Sequence, residues 1–213
     1  PTYNEKENVA LLAAEIFETV ADYPDIDLEL IVVDDGSRDA TAAIAKRHPT
    51  IRLIQMDHGG LSAARNVGLA HARGEIVAYT DADVRVEPEW LTYLVEPMLS
   101  SRLAGSGGPN VVPREDPWLA QCVARAPGGP SHVLFDDRIA EHVPGCNMAF
   151  RRETLLALAA IALGGLDTYR KGWVAVRHRT LNINALMSIA VTGAALIGQW
   201  PEAAMVMVLF SLA

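Results

Sequence analysis

Short apolar runs alternate with longer segments of helical periodicity along the first hundred residues. Residues 29–33 (ELIVV), 51–55 (IRLIQ) and 75–80 (EIVAYT) are short and rich in β-branched residues, which is typical of buried strands. Apolar residues at intervals of three and four predict helices over residues 6–21, 40–48, 61–72 and 87–99. This alternation predicts an α/β fold, a mostly parallel sheet with helices on both faces.

The periodicity weakens after the fourth predicted helix. Residues 103–144 are rich in Gly and Pro, which predicts loops and short strands. Residues 145–150 (GCNMAF) then predict a short strand before a helix that begins near Arg151.

Acidic pairs follow two of the predicted strands. Asp34 and Asp35 end the first, and Asp81 and Asp83 follow the third. Ligands of parallel sheets bind beyond the carboxyl ends of the strands, so we expect both pairs at the same edge. Each pair alone is explained equally well by a strand that ends at the surface in an ordinary turn. The alternative is a hard divalent cation, held by carboxylates together with phosphate oxygens.

Five motifs in a fixed order give the sequence a resemblance to a known family. They are residues 1–5 (PTYNE), 33–37 (VDDGS), 64–68 (ARNVG), 81–83 (DAD) and 145–152 (GCNMAFRR). This set resembles the family 2 glycosyltransferases of the GT-A fold, whose sheet is Rossmann-like. The resemblance implies transfer of a sugar from a nucleotide-diphosphate sugar, with a UDP-sugar favoured, to an acceptor hydroxyl that the sequence does not identify. It also implies Mg²⁺ or Mn²⁺ as the cofactor.

The resemblance assigns a role to each matching position. The residues implied to bind the substrate are Pro1, Tyr3, Glu5, Asp34, Asp35, Arg65, Asp81, Gly145 and Asn147. The first three match a segment that packs against the base and ribose, the next two match the carboxylate that binds the base, and the last two lie in the acceptor-side segment. The implied metal ligands are Asp81 and Asp83, of which Asp83 is the more direct.

Ordinary structural explanations stand beside these roles. Tyr3 is explained equally by a half-buried aromatic position, and Arg65 by a surface ion pair of little energetic value. Cys122 and Cys146 have no metal-ligand spacing, and Cys146 is better explained by packing than by nucleophilic chemistry. His58, His71, His132 and His142 also lack ligand spacing and are expected at the surface or in loops.

Charge is unevenly distributed along the chain. Residues 1–151 carry 13 Lys or Arg and 23 Asp or Glu, a net charge of −10, whereas residues 152–213 carry five and three, a net charge of +2. An acidic domain lacks the clustered cations that neutralise phosphates, so we expect no nucleic acid partner.

The resemblance to glycosyltransferases ends near residues 155–160. The family pattern continues with an acidic pair that supplies the general base, but the acids after Glu153 are Asp167 and Glu202. No catalytic residue is therefore assigned, and transfer by this chain is expected to be impaired. The pattern also includes a strand before Pro1, which suggests that the sequence is a fragment.

The C-terminal residues have a different character. Residues 155–180 predict an amphipathic helix at a membrane interface, and residues 181–213 predict two membrane helices, the second incomplete. Residues 166–173 (LDTYRKGW) and 179–210 resemble the first membrane helices of heavy-metal-transporting P-type ATPases. A buried helical hairpin is the alternative.

These observations predict three parts: a truncated GT-A domain over residues 1–154, an interfacial segment over 155–180 and membrane helices over 181–213. Basic residues before the first predicted span place the glycosyltransferase part on the cytoplasmic side of the plasma or inner membrane. Three functions remain open: a glycosyltransferase, a fragment of a metal-transporting ATPase, and a membrane-tethered nucleotide-binding module without catalysis.

Overall fold

The computed structural model describes residues 1–21, 23, 25–101, 103–124, 143–178 and 182–211. The chain divides into two compact units, an N-terminal unit, Pro1–Phe150, and a C-terminal unit, Arg151–Ala213. This division falls close to residue 154, where the glycosyltransferase resemblance ends. The second predicted boundary, at residues 180 and 181, lies outside the described residues, as do His132 and His142.

Helices and strands alternate in the N-terminal unit. Its helices are α1 (Val9–Glu18), α2 (Thr41–Arg47), α3 (Leu61–His71), α4 (Trp90–Ser100) and α5 (Trp118–Ala124). The strands are β1 (Leu30–Asp35), β2 (Ile51–Met56), β3 (Ile76–Tyr79), β4 (Gly105–Gly107) and β5 (Met148–Arg151). Each element predicted before residue 100 is present, with ends that differ by a few residues.

The strands form two sheets. β1 pairs in parallel with β2, in a register that sets Leu30 opposite Ile51, and Thr2 forms a parallel bridge with Asp34. The second sheet has the order β3-β5-β4, and β4 runs antiparallel to β5. The α/β architecture with a parallel sheet is therefore confirmed, but the described strands form two hydrogen-bonded sheets and not the single sheet predicted.

The core of the N-terminal unit joins α1 to α4 and α4 to β5. Leu12 and Ile16 of α1 pack with Leu91. Further along α4, Leu94 and Met98 pack with Ala149 of β5. The three α4 side chains follow helical spacing and share one face, and burying a side chain of this size contributes about 1.5–3 kcal/mol. This packing fixes α4 relative to the strand ends.

The described residues of the C-terminal unit form three helices, α6 (Arg152–Arg177), α7 (Ile183–Leu196) and α8 (Trp200–Ser211). Val191, Ala203 and Met207 form its buried cluster. α6 and α7 approach closely at Gly172, where a Cβ atom would lie 2.6 Å from the Ser188 hydroxyl oxygen.

Membrane-spanning helices were predicted over residues 181–213, and the structure corrects this. None of the helices among the described residues is both long and apolar enough to cross a bilayer. α7, in the region of the first predicted span, has 14 residues and extends about 21 Å, whereas the hydrocarbon core is about 30 Å thick. Gly198, with a φ of +82°, lies in the turn that separates α7 from α8.

Candidate functional site

The first acidic pair lies in a tight turn at the end of β1. Asp34 and Asp35 are both buried, and Oδ1 of Asp34 accepts a hydrogen bond from the Ser37 amide at 3.3 Å. Gly36, which follows Asp35 in the turn, has a φ of +75°, a backbone conformation that strains any residue with a Cβ. A Cβ there would also lie 2.9 Å from the backbone nitrogen of His58. The glycine therefore permits both the turn and the close approach of the loop that carries His58.

Asp35 organises that loop, which connects β2 to α3. Its Oδ1 accepts from the Gly59 amide at 2.7 Å, and its Oδ2 accepts from the Gly60 amide at 3.0 Å. Nδ1 of His58 lies 3.0 Å from the same Oδ2. The Gly59 amide, helped by the Gly60 amide and His58, holds the pKa of Asp35 below its ordinary value although burial opposes this. The carboxylate thus fixes a loop 23 to 25 residues away in sequence.

The segment that begins at Pro1 lies against the same turn. The Thr2 amide donates to the Val33 carbonyl at 2.9 Å, and the Thr2 carbonyl accepts from the Asp35 amide at 3.0 Å. The Asn4 side-chain oxygen accepts a hydrogen bond from the Arg38 backbone amide at 2.9 Å. The Asn4 backbone amide donates to the Ser37 hydroxyl at 2.9 Å. Residues 1–4 therefore have a fixed position beside β1.

Two rings meet above this turn. The ring centroids of Tyr3 and His58 are 4.9 Å apart, with the planes tilted by 39°. Tyr3 is 41% exposed, and the His58 side chain is 63% exposed. Such a pair presents a partly apolar surface to a planar ligand. Glu5, by contrast, is engaged locally, since its Oε2 accepts from the Asn8 side chain at 2.7 Å.

The second acidic pair lies beyond the end of β3. Nη2 of Arg65 donates to Oδ1 of Asp81 at 3.2 Å, while Asp83 is exposed. The buried Nε of Arg65 has no hydrogen-bond partner among the described residues. A Cβ on Gly145 would lie 2.6 Å from Nη1 of the same guanidinium, so the glycine allows the arginine to reach its position.

The ends of β1 and β3 lie close together beside Pro1. Pro1, Val32, Thr80 and Ala82 line one small cavity, and the guanidinium of Arg65 reaches Asp81. The two strand ends and α3 therefore converge beside Pro1, as their positions after strands predict.

Asn147 occupies a different position. Its side-chain oxygen accepts from the Trp90 indole at 3.0 Å, and its side-chain nitrogen donates to the Pro109 carbonyl at 3.1 Å. Both polar groups thus hold the chain before β5 against α4 and the loop after β4. The predicted role of Asn147 in substrate binding stays a prediction, and this structural role was not foreseen.

Sequence reasoning also missed the loop before α3. His58 was expected at the surface or in a loop and lies in an exposed loop, but its contacts with Asp35 and Tyr3 were not foreseen. The consecutive glycines after it were the available signal, because Gly60 has a φ of +86° and such pairs mark special turns.

The chain is similar to known proteins in sequence and in fold. Residues 1–158 match the sequence profile described as Glycosyl transferase family 2. The chain belongs to this family. Glycosyltransferase AglE of Haloferax volcanii is 36% identical over 96 residues, which are 43% of this chain and 31% of the relative. The chain therefore spans about a third of the length of that curated relative.

Solved structures extend this glycosyl transferase family 2 match to the fold. A mannosyltransferase from Pyrobaculum calidifontis, in complex with GDP-Man and Mn²⁺, has a TM-score of 0.55 and 29% identity over 74% of this chain and 44% of its own. S. aureus TarS 1-349, in complex with UDP-GlcNAc, has a TM-score of 0.58 and 20% identity over 75% of this chain and 46% of its own. These similarities support the GT-A fold and do not support the P-type ATPase resemblance of the tail.

Proposed function

We propose that this chain binds the nucleotide-diphosphate part of a sugar nucleotide, with a UDP-sugar as the favoured donor, at the convergence of β1, β3 and α3. The close approach of the ends of β1 and β3, with Arg65 bound to Asp81, carries the proposal. A nucleotide sugar needs a surface for its base, oxygen ligands for a cation and a cation near its phosphates. The site offers all three within one unit.

The base is assigned to the turn after β1. The exposed face of Tyr3 stacks on the ring, Pro1 and Glu5 border the ribose, and Asp34 and Asp35 accept from the base edge. Asp35 already accepts two amide hydrogen bonds, but its two oxygens together have about four acceptor positions. The similar mannosyltransferase binds GDP-Man and TarS binds UDP-GlcNAc, so these neighbours support a nucleotide sugar in general.

The residues after β3 fit a divalent cation. Among the described residues, no group of three His, Cys, Asp or Glu side chains forms a metal cluster. Asp81 and Asp83 suit Mg²⁺ or Mn²⁺, because these ions bind through one or two carboxylates with phosphate oxygens completing the shell. Asp83, whose carboxylate is exposed, is the proposed direct ligand, and Asp81 shares its carboxylate with Arg65. When bound, the cation stabilises the negative charge on the departing diphosphate.

The residues of the chain support donor binding more fully than transfer. Arg65 holds Asp81 in place and adds positive charge near the phosphates, while Gly145 leaves the guanidinium room and Asn147 is assigned to the acceptor side. Inverting transfer also requires a base that takes the proton of the acceptor hydroxyl. No such residue is assigned within these 213 residues. We therefore assign these residues to donor binding, and the family match favours a glycosyltransferase over a binding module without catalysis.

Titration calorimetry with UDP and Mn²⁺ tests the site. Wild type should release heat, and Asp83→Asn should weaken binding at least tenfold because the cation loses a charged ligand, a loss of about 1.4 kcal/mol or more. Asp27→Asn makes the same charge change at an exposed loop position and should leave the affinity unchanged. Equal affinities for wild type and Asp83→Asn would remove Asp83 from the site. Release of radiolabelled sugar then distinguishes a transferase from a binding module.

A further inference from the structure

The outward face of α6 carries large apolar and basic side chains in one row. Leu166, Arg170, Trp173 and Arg177 are separated by four, three and four residues, so they lie on one face of the helix. Leu166 is 73% exposed, Trp173 is 70% exposed, and both arginines are exposed. Gly165, Tyr169 and Gly172, each about 100° around the helix from the next residue in this row, contact α7 and α8.

A groove of about 600 Å³ continues this row toward α7. Its lining is basic and polar, and consists of Arg170, Lys171, Val174, Ala175, His178, Asn182 and Asn184. No Asp or Glu is among these residues. The groove therefore suits a negatively charged group, and Arg170 belongs to both the row and the groove.

We propose that this basic face, defined as the α6 row with the adjoining groove, binds an anionic phospholipid surface. The unit then lies on the bilayer, with Trp173 and Leu166 among the headgroups and the arginines against lipid phosphates. Tryptophan and arginine on one helix face are typical of interfacial binding. α7 adds exposed apolar side chains on the same unit at Ile183, Leu186 and Ile189.

The charge of the two parts of the chain favours a lipid surface over a second copy of the chain as the partner of this face. Residues 152–213 have a net charge of +2, whereas residues 1–151 have a net charge of −10. An anionic leaflet attracts the first and repels the second, which leaves the basic face as the region of contact. Pairing of this face with itself in a second copy would bring identical arginines together, so the lipid surface is favoured over self-association.

Vesicle flotation with the full chain tests the proposal. Wild type should bind vesicles of phosphatidylcholine with phosphatidylglycerol, bind pure phosphatidylcholine much more weakly, and lose binding in high salt as the charges are screened. Arg170→Gln/Arg177→Gln should weaken binding to the anionic vesicles about 30-fold, because each basic residue at the surface adds about a fivefold gain in affinity. Trp173→Ala should weaken it about fivefold to tenfold.

Matched variants in the N-terminal unit serve as controls. Lys46→Gln/Arg47→Gln removes two exposed cations at the end of α2, and Trp118→Ala removes a tryptophan that is 76% exposed. Both should bind vesicles as wild type does, and circular dichroism should show that every variant is folded.

Three results would overturn the proposal: no vesicle binding, equal binding to neutral and anionic vesicles, or equal losses in the controls. A dimer in light scattering that buries Trp173 without lipid would also overturn it. UDP binding, measured on the same proteins, reports the nucleotide site separately. Its absence alone would contradict the proposed function and leave lipid binding intact.

Discussion

At the scale of single residues, Asp35 links three segments that are distant in sequence. It ends β1, pairs through its backbone with Thr2 and fixes the Gly59–Gly60 turn through its carboxylate. A carboxylate with two backbone donors and a neighbouring imidazole is more stable charged than neutral. The folding of the site is therefore coupled to the ionisation of this one group.

This coupling predicts a pH dependence. Because the pKa of Asp35 is lowered in the folded state, its contribution to stability is complete above its unfolded pKa of about 3.9 and is lost as the pH falls through the lower folded value. Asp35→Asn should lower the free energy of unfolding by about 2 kcal/mol at pH 7, with a difference from wild type that shrinks below about pH 4. Urea unfolding across this range measures both, with Asp27→Asn as the control. A difference that is constant with pH would mean that the charge of Asp35 has no part in the effect.

A second prediction at this scale concerns Gly36. Gly36→Ala should destabilise the chain for two reasons: the φ at this position is positive, and the new Cβ would contact the His58 backbone nitrogen. Gly60 also has a positive φ, +86°, but nothing lies within 4 Å of the Cβ that Gly60→Ala would add. Positive φ alone costs about 1–2 kcal/mol, so both variants lose that amount and Gly36→Ala should lose at least about 1 kcal/mol more. Urea unfolding of the two variants compares them directly. Equal losses would show that the loop moves freely away from the turn.

At the scale of elements, the pairing of α6 with α7 depends on a residue without a side chain. The backbone oxygen of Asn184 lies 2.9 Å from the position of a Cβ on Gly172. A β-carbon would force the helices apart, because backbone and Ser188 both occupy the space. Small residues at helix crossings allow two helices to approach closely, and the packing of helical units depends on this close approach.

Gly172→Ala should therefore destabilise the C-terminal unit by about 1–3 kcal/mol, although alanine is the better helix former. Gly193→Ala is the matched control, since it lies within α7 with nothing within 4 Å of its Cβ. That variant should be stabilising by up to about 1 kcal/mol. Thermal unfolding followed by circular dichroism gives the sign of each change in stability. Stabilisation by both alanines would show that α6 and α7 are not in close contact.

At the scale of the whole molecule, charge governs how an anionic ligand reaches the site. The net charge of −8 is concentrated in the N-terminal part, which repels a diphosphate. A bound cation offsets this repulsion locally. Nucleotide binding is therefore expected to depend on the metal through the phosphates and not through the base.

Removal of the metal tests this expectation. With EDTA in place of Mn²⁺, the affinity for UDP should fall at least tenfold, about 1.4 kcal/mol, while the affinity for uridine should not change. Calorimetry with both ligands separates the two contributions. A metal dependence for uridine would place the cation against the base or in the fold and not at the diphosphate.

Local patterns predicted most elements of the N-terminal unit. The runs at residues 29–33, 51–55 and 75–80 each became a strand, since β-branched residues bounded by turns have few other stable structures. The carboxylates after them were identified because a parallel sheet brings strand ends together. The same reasoning did not foresee where α7 ends. The charge-free run of 18 residues, 181–198, predicted a membrane helix, but α7 stops after 14 residues at Ile197 and Gly198.

Contacts between distant residues could not be predicted in the same way. The hydrogen bond from Trp90 to Asn147 joins positions 57 residues apart, and the contact of Tyr3 with His58 joins positions 55 apart by their numbers. Neither side chain in these pairs has a local pattern that identifies its partner. Only packing of the helices on the strands brings them together.

The sequence by itself determined the alternation of strands and helices, the positions of the carboxylates and membership of the glycosyl transferase family, because periodicity and motif order are properties of the chain. The tertiary structure decided which of those residues meet: the loop that Asp35 fixes, the ion pair of Arg65 with Asp81, and the close contact of α6 with α7 at Gly172. These depend on which backbone groups pair and which side chains are excluded from water, and such choices are made among all segments at once.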